Sequence, residues 1–499
     1  MKKLFYITTP IYYVNDKPHI GHAYTSLACD MIARFKNLDG FDVKFLTGTD
    51  EHGQKIEKAA AAKGIDPQVF VDEVSLSFRN LCTILNITNT DFIRTTESRH
   101  KLAVQHLWQQ LLDSGNIYLG EYAGWYAVRD EAFYQEDEIV DGKAPTGAEV
   151  EWIKESSYFF KLSAWQQPLL DYYAKHPEAI QPESRKNEVL RFIEGGLKDL
   201  SISRRTLKWG VPVPGDADHV MYVWLDALTN YLSAIGYPNI GYESHWEQAI
   251  HVVGKDILRF HSVYWPAFLM AANLPLPKTV FAHGWWMVEG EKMSKSLGNV
   301  IDPVEVVNTY GADAFRYFML RDLSFGQDGD FSQSAFLGRL NTDLANAYGN
   351  LCQRVLSFIY KNAEAKIPTP GEFDAADKAL LAMPQDLLPT LRKQIDNFQL
   401  HRYCETVWQI ISEANRYVDA QKPWSLKKDD PARMGTVLYV LADVIRQVAI
   451  LTQPILPEKS LQILEMLKVH NKDLSSLSDS LNPGCEIAEP QPLFPKYNG

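Results

Sequence analysis

Short apolar runs alternate with helical periodicity along the N-terminal part of the chain. Leu4–Thr8 is a compact apolar run that predicts a buried strand. Between Ile20 and Leu38, apolar residues recur at Leu27, Met31, Ile32, Phe35 and Leu38, the spacing of a helix face. Phe41–Thr47 predicts a second strand, and Lys55–Lys63 opens another helix. The two prolines of the intervening Pro10–Pro18 stretch predict a loop. Strand, helix and strand joined by short turns predict a parallel, doubly wound α/β sheet. Pro10–His22 and Gly48–His52 then fall at the carboxyl ends of strands, where such sheets bind ligands.

After Gly115 the pattern changes. Tyr118–Glu138 is aromatic and turn-rich, as in a small β-containing insert. Tyr158–Tyr173, Arg185–Leu197 and Met221–Ile235 predict helices, and Ala249–Val253 predicts a strand leading into Gly254-Lys255-Asp256. From Phe336 onward the chain reads as helical. Val437, Val440, Leu441, Val444, Ile445, Val448 and Leu451 mark a packed helix that Pro454 and Pro457 end. Lys366–Phe373 predicts a loop between helices, and the stretch beyond Val469 a surface-lying tail. The predicted division is a Rossmann-type first half at 1–115, an insert at 116–219 and a second half at 220–284. A connecting segment at 285–340, an all-α bundle at 341–470 and a tail at 471–499 follow.

At 499 residues the chain needs more than one core, which fits that division. Its formal charge of −12 argues against a surface coated in nucleic acid, but leaves room for a local basic track. Five dispersed cysteines, an odd number, fit free thiols in a reducing compartment. The Leu4–Ile7 run is too short for a signal peptide, and no run of about 18 apolar residues predicts a membrane span, so the cytoplasm is expected.

Two strings carry chemistry. His19-Ile20-Gly21-His22 stands where a loop enters a helix. A helix N-terminus attracts phosphate, imidazoles donate hydrogen bonds to it, and Gly21, without a Cβ, admits a flat ring close to the backbone. The bland alternative is a pair of histidines capping a surface helix. Lys292-Met293-Ser294-Lys295-Ser296 lies between Gly290 and Gly298, and suits a mobile cationic clamp on a triphosphate. Alone, that string reads equally well as a solvated surface loop.

Together, in this order, the two strings resemble the signature motifs of class I aminoacyl-tRNA synthetases. The resemblance implies that His19, His22 and Lys295, supported by Lys292, stabilise the α-phosphate of ATP during adenylate formation. It places Asp256 at the nucleotide ribose and Pro10, Gly21 and Gly254 along the ATP site. Four further segments resemble the methionyl branch: Thr8–Asn15, Thr47–Gly53, Tyr222–Ala227 and Gly254–His261. The likeness runs from Leu4 to about Leu467.

The residue chemistry agrees with methionine. Asp50 at a strand end can pair with an ammonium group. Trp224, Ala227 and Tyr231 share a helix face, and Ala leaves room for a thioether between aromatic walls. Ile257, Phe260 and His261 share the next face, and His261 is expected to touch the thioether or hold the hydroxyl of Tyr13. Ile11 and Tyr13 complete the expected pocket. Such a pocket rejects a missing methyl by only about 1–3 kcal/mol, so homocysteine should enter it. The resemblance implies its disposal by cyclisation within the same site.

Family members often carry zinc knuckles built on Cys-x-x-Cys. Here Ala127 and Asp130 take the first pair's places, and Lys143–Gly147 has neither Cys nor His. A metal-free remnant held by Trp125, Tyr126 and Phe133 is expected, with magnesium only as the companion of ATP. In the bundle, Asn350 and Arg354 share a helix face and Pro423-Trp424 ends a helix; the resemblance places these four at the CAU anticodon. The alternative for Trp424 is a plug between helices. The expected partners are L-methionine and initiator and elongator tRNA(Met), without DNA or membrane, and a monomer is expected. Two rival readings stay open: an enzyme for another apolar amino acid, and an inactive tRNA-binding relative.

Overall fold

The structure, a computed structural model, describes residues 2–497 apart from 15–16, 128, 130–131, 135 and 294–298, and apart from the side chains of 122, 132, 133 and 292. Six parallel strands form its central sheet: β1 (Leu4–Tyr13), β2 (Asp42–Asp50), β3 (Asp91–Arg94), β4 (Ile180–Gln181), β5 (Ala249–Gly254) and β6 (Thr279–His283). Their order is β3-β2-β1-β5-β6-β4, so the chain leaves the sheet after β3 and returns. Successive residues of β1 face opposite sides, as the pleat requires. Phe5 and Ile7 join a core that continues through Phe315 and Phe318 into the helical bundle, whereas Tyr6 joins the core holding Trp108, Phe160, Tyr231 and Trp265.

β1 runs further than the prolines suggested. It pairs with β2 from Leu4↔Asp42 to Tyr13↔Asp50, with a register shift between Thr8 and Ile11. Pro10 sits in that irregularity, where its missing N–H costs no ladder bond. The extension carries Ile11 and Tyr13 level with Gly48 and Asp50.

Between β3 and β5 the local pattern misleads at three places. Tyr158–Tyr173 is not one helix: Glu151–Phe160 is a strand paired along its length with Ile117–Ala127, and the helix is Gln166–Lys175. Tyr158, Phe159 and Phe160 suit either period, and long-range pairing decides. Ile180–Gln181, within the stretch read as insert, pairs with Val280–Phe281 at the sheet edge. Met221–Ile235 is a strand end followed by two short helices, Trp224–Leu228 and Asn230–Ser233.

The C-terminal part is a bundle whose longest helices include Ala375–Asp396, Leu400–Gln421 and Pro431–Thr452. Pro431–Thr452 is long and apolar enough to cross a membrane, with a mean hydropathy of 1.6 over its best window, but 89% of that window is buried inside the protein. The tail is tied down. Leu474, Leu477, Leu481, Ile487 and Leu493 are buried, and the Tyr497 N–H donates to Asn341 Oδ1 at 2.9 Å.

Arg316 rivets bundle to sheet. Its buried guanidinium pairs with Asp30 at 2.7 Å and donates to the carbonyls of Leu85, Pro454 and Ile455 at 3.1, 2.9 and 3.1 Å. Asp30 lies in the helix α1 (Ile20–Leu38), whose N-terminus begins the candidate site.

Candidate active site

His19 is the N-cap of α1, with extended backbone. Its Nδ1 accepts the Gly21 N–H at 3.1 Å, and its own N–H donates to His22 Nδ1 at 3.1 Å, a reciprocal capping box made of two imidazoles. A Cβ at Gly21 would lie 2.9 Å from His19 Cε1, so glycine lets the ring fold back onto the helix end. Burial pushes both imidazoles below the ordinary histidine value; Asp256 partly opposes this at His19, and His19 reinforces it at His22. With Nδ1 accepting and the ring neutral, each proton sits on Nε2. Capping therefore fixes the tautomer, and both rings line the cavity as donors.

That cavity, of about 920 Å3, collects residues from widely separated parts of the chain. Pro10, Ile11 and Tyr13 come from β1, and Asp50 from the end of β2. Trp224, Ala227 and Tyr231 come from the two short helices, Gly254 from the end of β5, and Asp256, Ile257 and His261 from the helical turns that follow it. A Cβ on Gly254 would meet Asp256 Oδ1 at 2.6 Å, so that glycine also answers to a close approach. Asp256 Oδ1 accepts from Trp285 Nε1 at 3.1 Å. Phe260 does not line the cavity. It backs Trp224, with ring centroids 3.6 Å apart and planes within 15°.

The partner of His261 is Tyr231, not Tyr13. His261, in a single π-helical turn over Phe260–Tyr264, donates from Nδ1 to the Ile257 carbonyl at 2.9 Å. Burial drives its pKa down to about 4, so Nε2 is unprotonated and accepts the Tyr231 hydroxyl at 2.7 Å. The Tyr231 oxygen thus keeps its lone pairs for other partners, while its ring stacks on His251 at 4.0 Å. The sequence supplied several tyrosines and no means of choosing among them.

The helix bearing Trp224 is held from below. Buried Asp226 binds His52 Nδ1 at 2.7 Å and His100 Nε2 at 2.8 Å. Burial alone would raise its pKa; the two imidazoles hold the carboxyl well below its usual range. This ties Trp224 and Ala227 to the end of β2, where Asp50 stands. Val223, just before Trp224, has φ 32°, a strained value for a β-branched residue. Neither feature was read from sequence, nor were Asn230, His283 and Trp285 of the cavity wall. The carboxyl end of β6 was the available signal for the last two.

Lys295 lies outside the described residues, as does the Lys292 side chain. The residues on either side of 294–298 do not. Met293, Val300 and Asp302 line the same cavity as the two histidines. In the insert, the position of Ala127 is apolar in fact: Ala127, Ala144 and Ala148 are buried together. Trp125 packs edge-on against Trp152 at 5.3 Å, Tyr126 bonds the Tyr222 hydroxyl at 2.7 Å, and the Asp130 and Phe133 side chains lie outside the described residues. Among the described residues no group of three or more His, Cys, Asp or Glu could hold a metal. In the bundle, Asn350 and Arg354 share the helix Asn350–Asn362, and Arg354 lies 5.1 Å over the Trp424 ring, which is 45% exposed. Pro423 is buried as the first residue of the next helix.

Comparison with known proteins agrees with this geometry. The family model for tRNA synthetases class I (M) matches residues 5–151 and 146–356, and that for the anticodon binding domain of methionyl tRNA ligase matches 367–499. The methionine–tRNA ligase of Rickettsia felis is 53% identical over all of this chain and 99% of its own. That of Brucella suis is 52% identical over 99% of this chain and 98% of its own. Among solved structures, Mycobacterium tuberculosis methionyl-tRNA synthetase in complex with methionyl-adenylate superposes with a TM-score of 0.96 at 48% identity, covering 99% of this chain and 100% of that one. The same enzyme in its apo form gives 0.90 at 44%, over 100% and 99%. With both family models matched along the chain and relatives alike from end to end, the chain belongs to the methionyl class of the class I tRNA synthetases.

Proposed function

We propose that the chain activates L-methionine with ATP, giving methionyl-adenylate and pyrophosphate, and transfers the methionyl group to the 3′ end of tRNA(Met). The observation that carries this is the pair of neutral imidazoles, locked as Nε2–H donors, in one cavity with Asp50 and the flanks of the lysine loop. Donors preset toward developing phosphate charge need no reorganisation during the reaction. His19 and His22 hold the α-phosphate oxygens while the methionine carboxylate attacks. Lys295, helped by Lys292, adds positive charge there, and magnesium travels with the nucleotide phosphates. No side chain acts as a nucleophile, and rate comes from positioning and charge stabilisation.

Asp256 is proposed for the ribose, with Pro10, Gly21 and Gly254 giving the nucleotide close access to the backbone. Asp50 takes the methionine ammonium. The side chain runs between Ile11, Tyr13, Trp224, Ala227, Tyr231, Ile257 and His261, with Phe260 stiffening Trp224 from behind. Asn350, Arg354, Pro423 and Trp424 are proposed to meet the CAU anticodon. Catalytic halves at 1–115 and 220–284 around an insert, a lysine-loop segment at 285–340, a bundle at 341–470 and a tail complete the reading, as a cytoplasmic monomer serving initiator and elongator tRNA. The alanine-filled knuckle supports a zinc-free insert; stoichiometric zinc by elemental analysis would contradict it.

The test is ATP–pyrophosphate exchange with the purified chain, run separately with each amino acid. Exchange driven by methionine is expected. Exchange with leucine but not methionine would reject the substrate, and none with any amino acid would leave an inactive tRNA-binding relative.

A further inference from the structure

Val223 and Trp224 both line the reaction cavity, and the strained backbone of the first, with φ 32°, sets where the ring of the second stands. After Val223 the chain is held within its own helix, where the Ala227 N–H donates to the Val223 carbonyl at 2.8 Å. Before Val223 the grip comes from the insert. The Tyr222 N–H donates to the Ile202 carbonyl at 2.8 Å, and the Tyr222 hydroxyl shares a hydrogen bond of 2.7 Å with that of Tyr126, on the strand Ile117–Ala127. The Arg204 guanidinium stands 3.9 Å over the Tyr222 ring. It too is fixed from the insert, donating to Ser201 Oγ at 2.6 Å and the Ser203 carbonyl at 2.7 Å, and pairing with Glu155 at 3.7 Å. Tyr126, Arg204 and Tyr222 are all buried, and none of them lines the cavity.

Packing alone asks for none of this. A phenylalanine at 222 would fill the same small apolar cluster with Leu207, Val220 and Val223. A buried guanidinium costs desolvation that a long ion pair repays poorly, and a β-branched residue at positive φ relaxes unless its surroundings hold it. These costly groups converge on Tyr222, directly before the strained residue. Tyr222 is held by its N–H, by its hydroxyl and, through the cation, by the face of its ring. It cannot turn, so the distortion is confined to Val223 and fixes the direction of Trp224. Phe260 closes the other side by stacking on Trp224 at 3.6 Å.

We propose that Tyr126 and Arg204 are positioning residues for the methionine pocket: the insert grips Tyr222 and, through Val223, sets the Trp224 wall against the substrate side chain. This rests on reading the cavity as a methionine site. The test is methionine-dependent ATP–pyrophosphate exchange, without tRNA, in Tyr126→Phe, Tyr222→Phe and the double variant. Arg204→Lys is an independent probe that keeps the charge but not the flat stacking face. In Tyr126→Phe the KM for methionine should rise about tenfold, the scale of one buried hydrogen bond, with kcat and the KM for ATP within about twofold of the parent. Because the two hydroxyls act through each other, the double variant should be no worse than either single one. Arg204→Lys should show the same split between the two KM values. A merely structural role would lower the active fraction or move both KM values together. An unchanged methionine KM in Tyr126→Phe and Arg204→Lys overturns the proposal. So do equal rises in KM for methionine and ATP, or single effects that multiply in the double variant. Should Tyr126→Phe not fold, the split in Arg204→Lys decides by itself. Absence of methionine-dependent exchange in the parent would instead sink the reading of the cavity.

Discussion

The reaction cavity and the Arg354–Trp424 patch use similar chemistry, aromatic rings beside nitrogen donors, in opposite surroundings. In the cavity, His19, His22, His261 and Tyr231 are each locked by a named partner, and burial keeps the imidazoles neutral. On the bundle, Trp424 is 45% exposed, and Arg354 meets Asp419 at 3.0 Å with side chains 34% and 67% exposed. Buried polar groups must be paired before a ligand arrives, whereas exposed ones wait in water. Substitutions in the first setting should therefore cost much and ignore salt. Those in the second should cost little and depend on salt.

Arg316 should give the largest effect. Arg316→Met leaves three carbonyls without their donor and removes the closest buried cation from Asp30 except Arg34. Breaking a buried pair from one side costs roughly 3–5 kcal/mol. Urea unfolding should show a loss of that size, little altered between low and high salt. A loss below about 1 kcal/mol would place this rivet with the surface pairs and break the contrast.

The imidazoles come next. Removing one preset donor to a transition state costs about 10²–10³ in rate, so His19→Ala and His22→Ala should each slow adenylate formation by that factor. Affinity for tRNA should hardly move. The pH dependence has a definite sign. A lowered folded pKa favours the neutral ring, so the stabilising contribution is present above the unfolded value of about 6.5 and is lost as pH falls. For His261, at about 4 in the fold, the window runs from about 6.5 down to 4. Stability should thus fall on acidification through this range, while the acid limb of adenylate kcat/KM appears below pH 6.5. A limb centred on the ordinary histidine value would mean the rings titrate freely.

The sequence was legible where one element carries both pattern and chemistry. Ile20–Leu38 was bounded correctly because its apolar face, its entry loop and its histidines are local. Of the candidate ATP and methionine residues, those that are described line one cavity, apart from Phe260, which supports the wall from outside; Lys295 and the Lys292 side chain lie outside the described residues. What escaped depends on distant partners. The strand Glu151–Phe160 needs Ile117–Ala127, two-residue β4 needs β6, and His261 needs Tyr231 rather than Tyr13. The Val223 distortion splits what periodicity draws as one helix, and no local signal announces a strained residue.

Trp424→Ala tests the exposed side. Losing one stacked base should weaken tRNA binding by about 1–3 kcal/mol, seen as a raised KM for tRNA with exchange unchanged. Unchanged KM would return the ring to a structural role.

Arg354 should give the smallest effect and the sharpest distinction. Its pair with Asp419 is exposed enough that Asp419→Asn should alter stability by less than about 1 kcal/mol. Arg354→Ala should be equally mild for the fold, yet it removes one cation from the proposed RNA face. If Arg354 meets a phosphate, the slope of log K against log salt should fall by about one, whatever the anticodon sequence. If it reads a base edge instead, the slope should hold and discrimination at one anticodon position should relax. Either result keeps the patch as a water-exposed RNA reader. A large loss of stability from Arg354→Ala would instead show that the guanidinium props the Trp424 ring as part of the bundle, erasing the difference between the two regions.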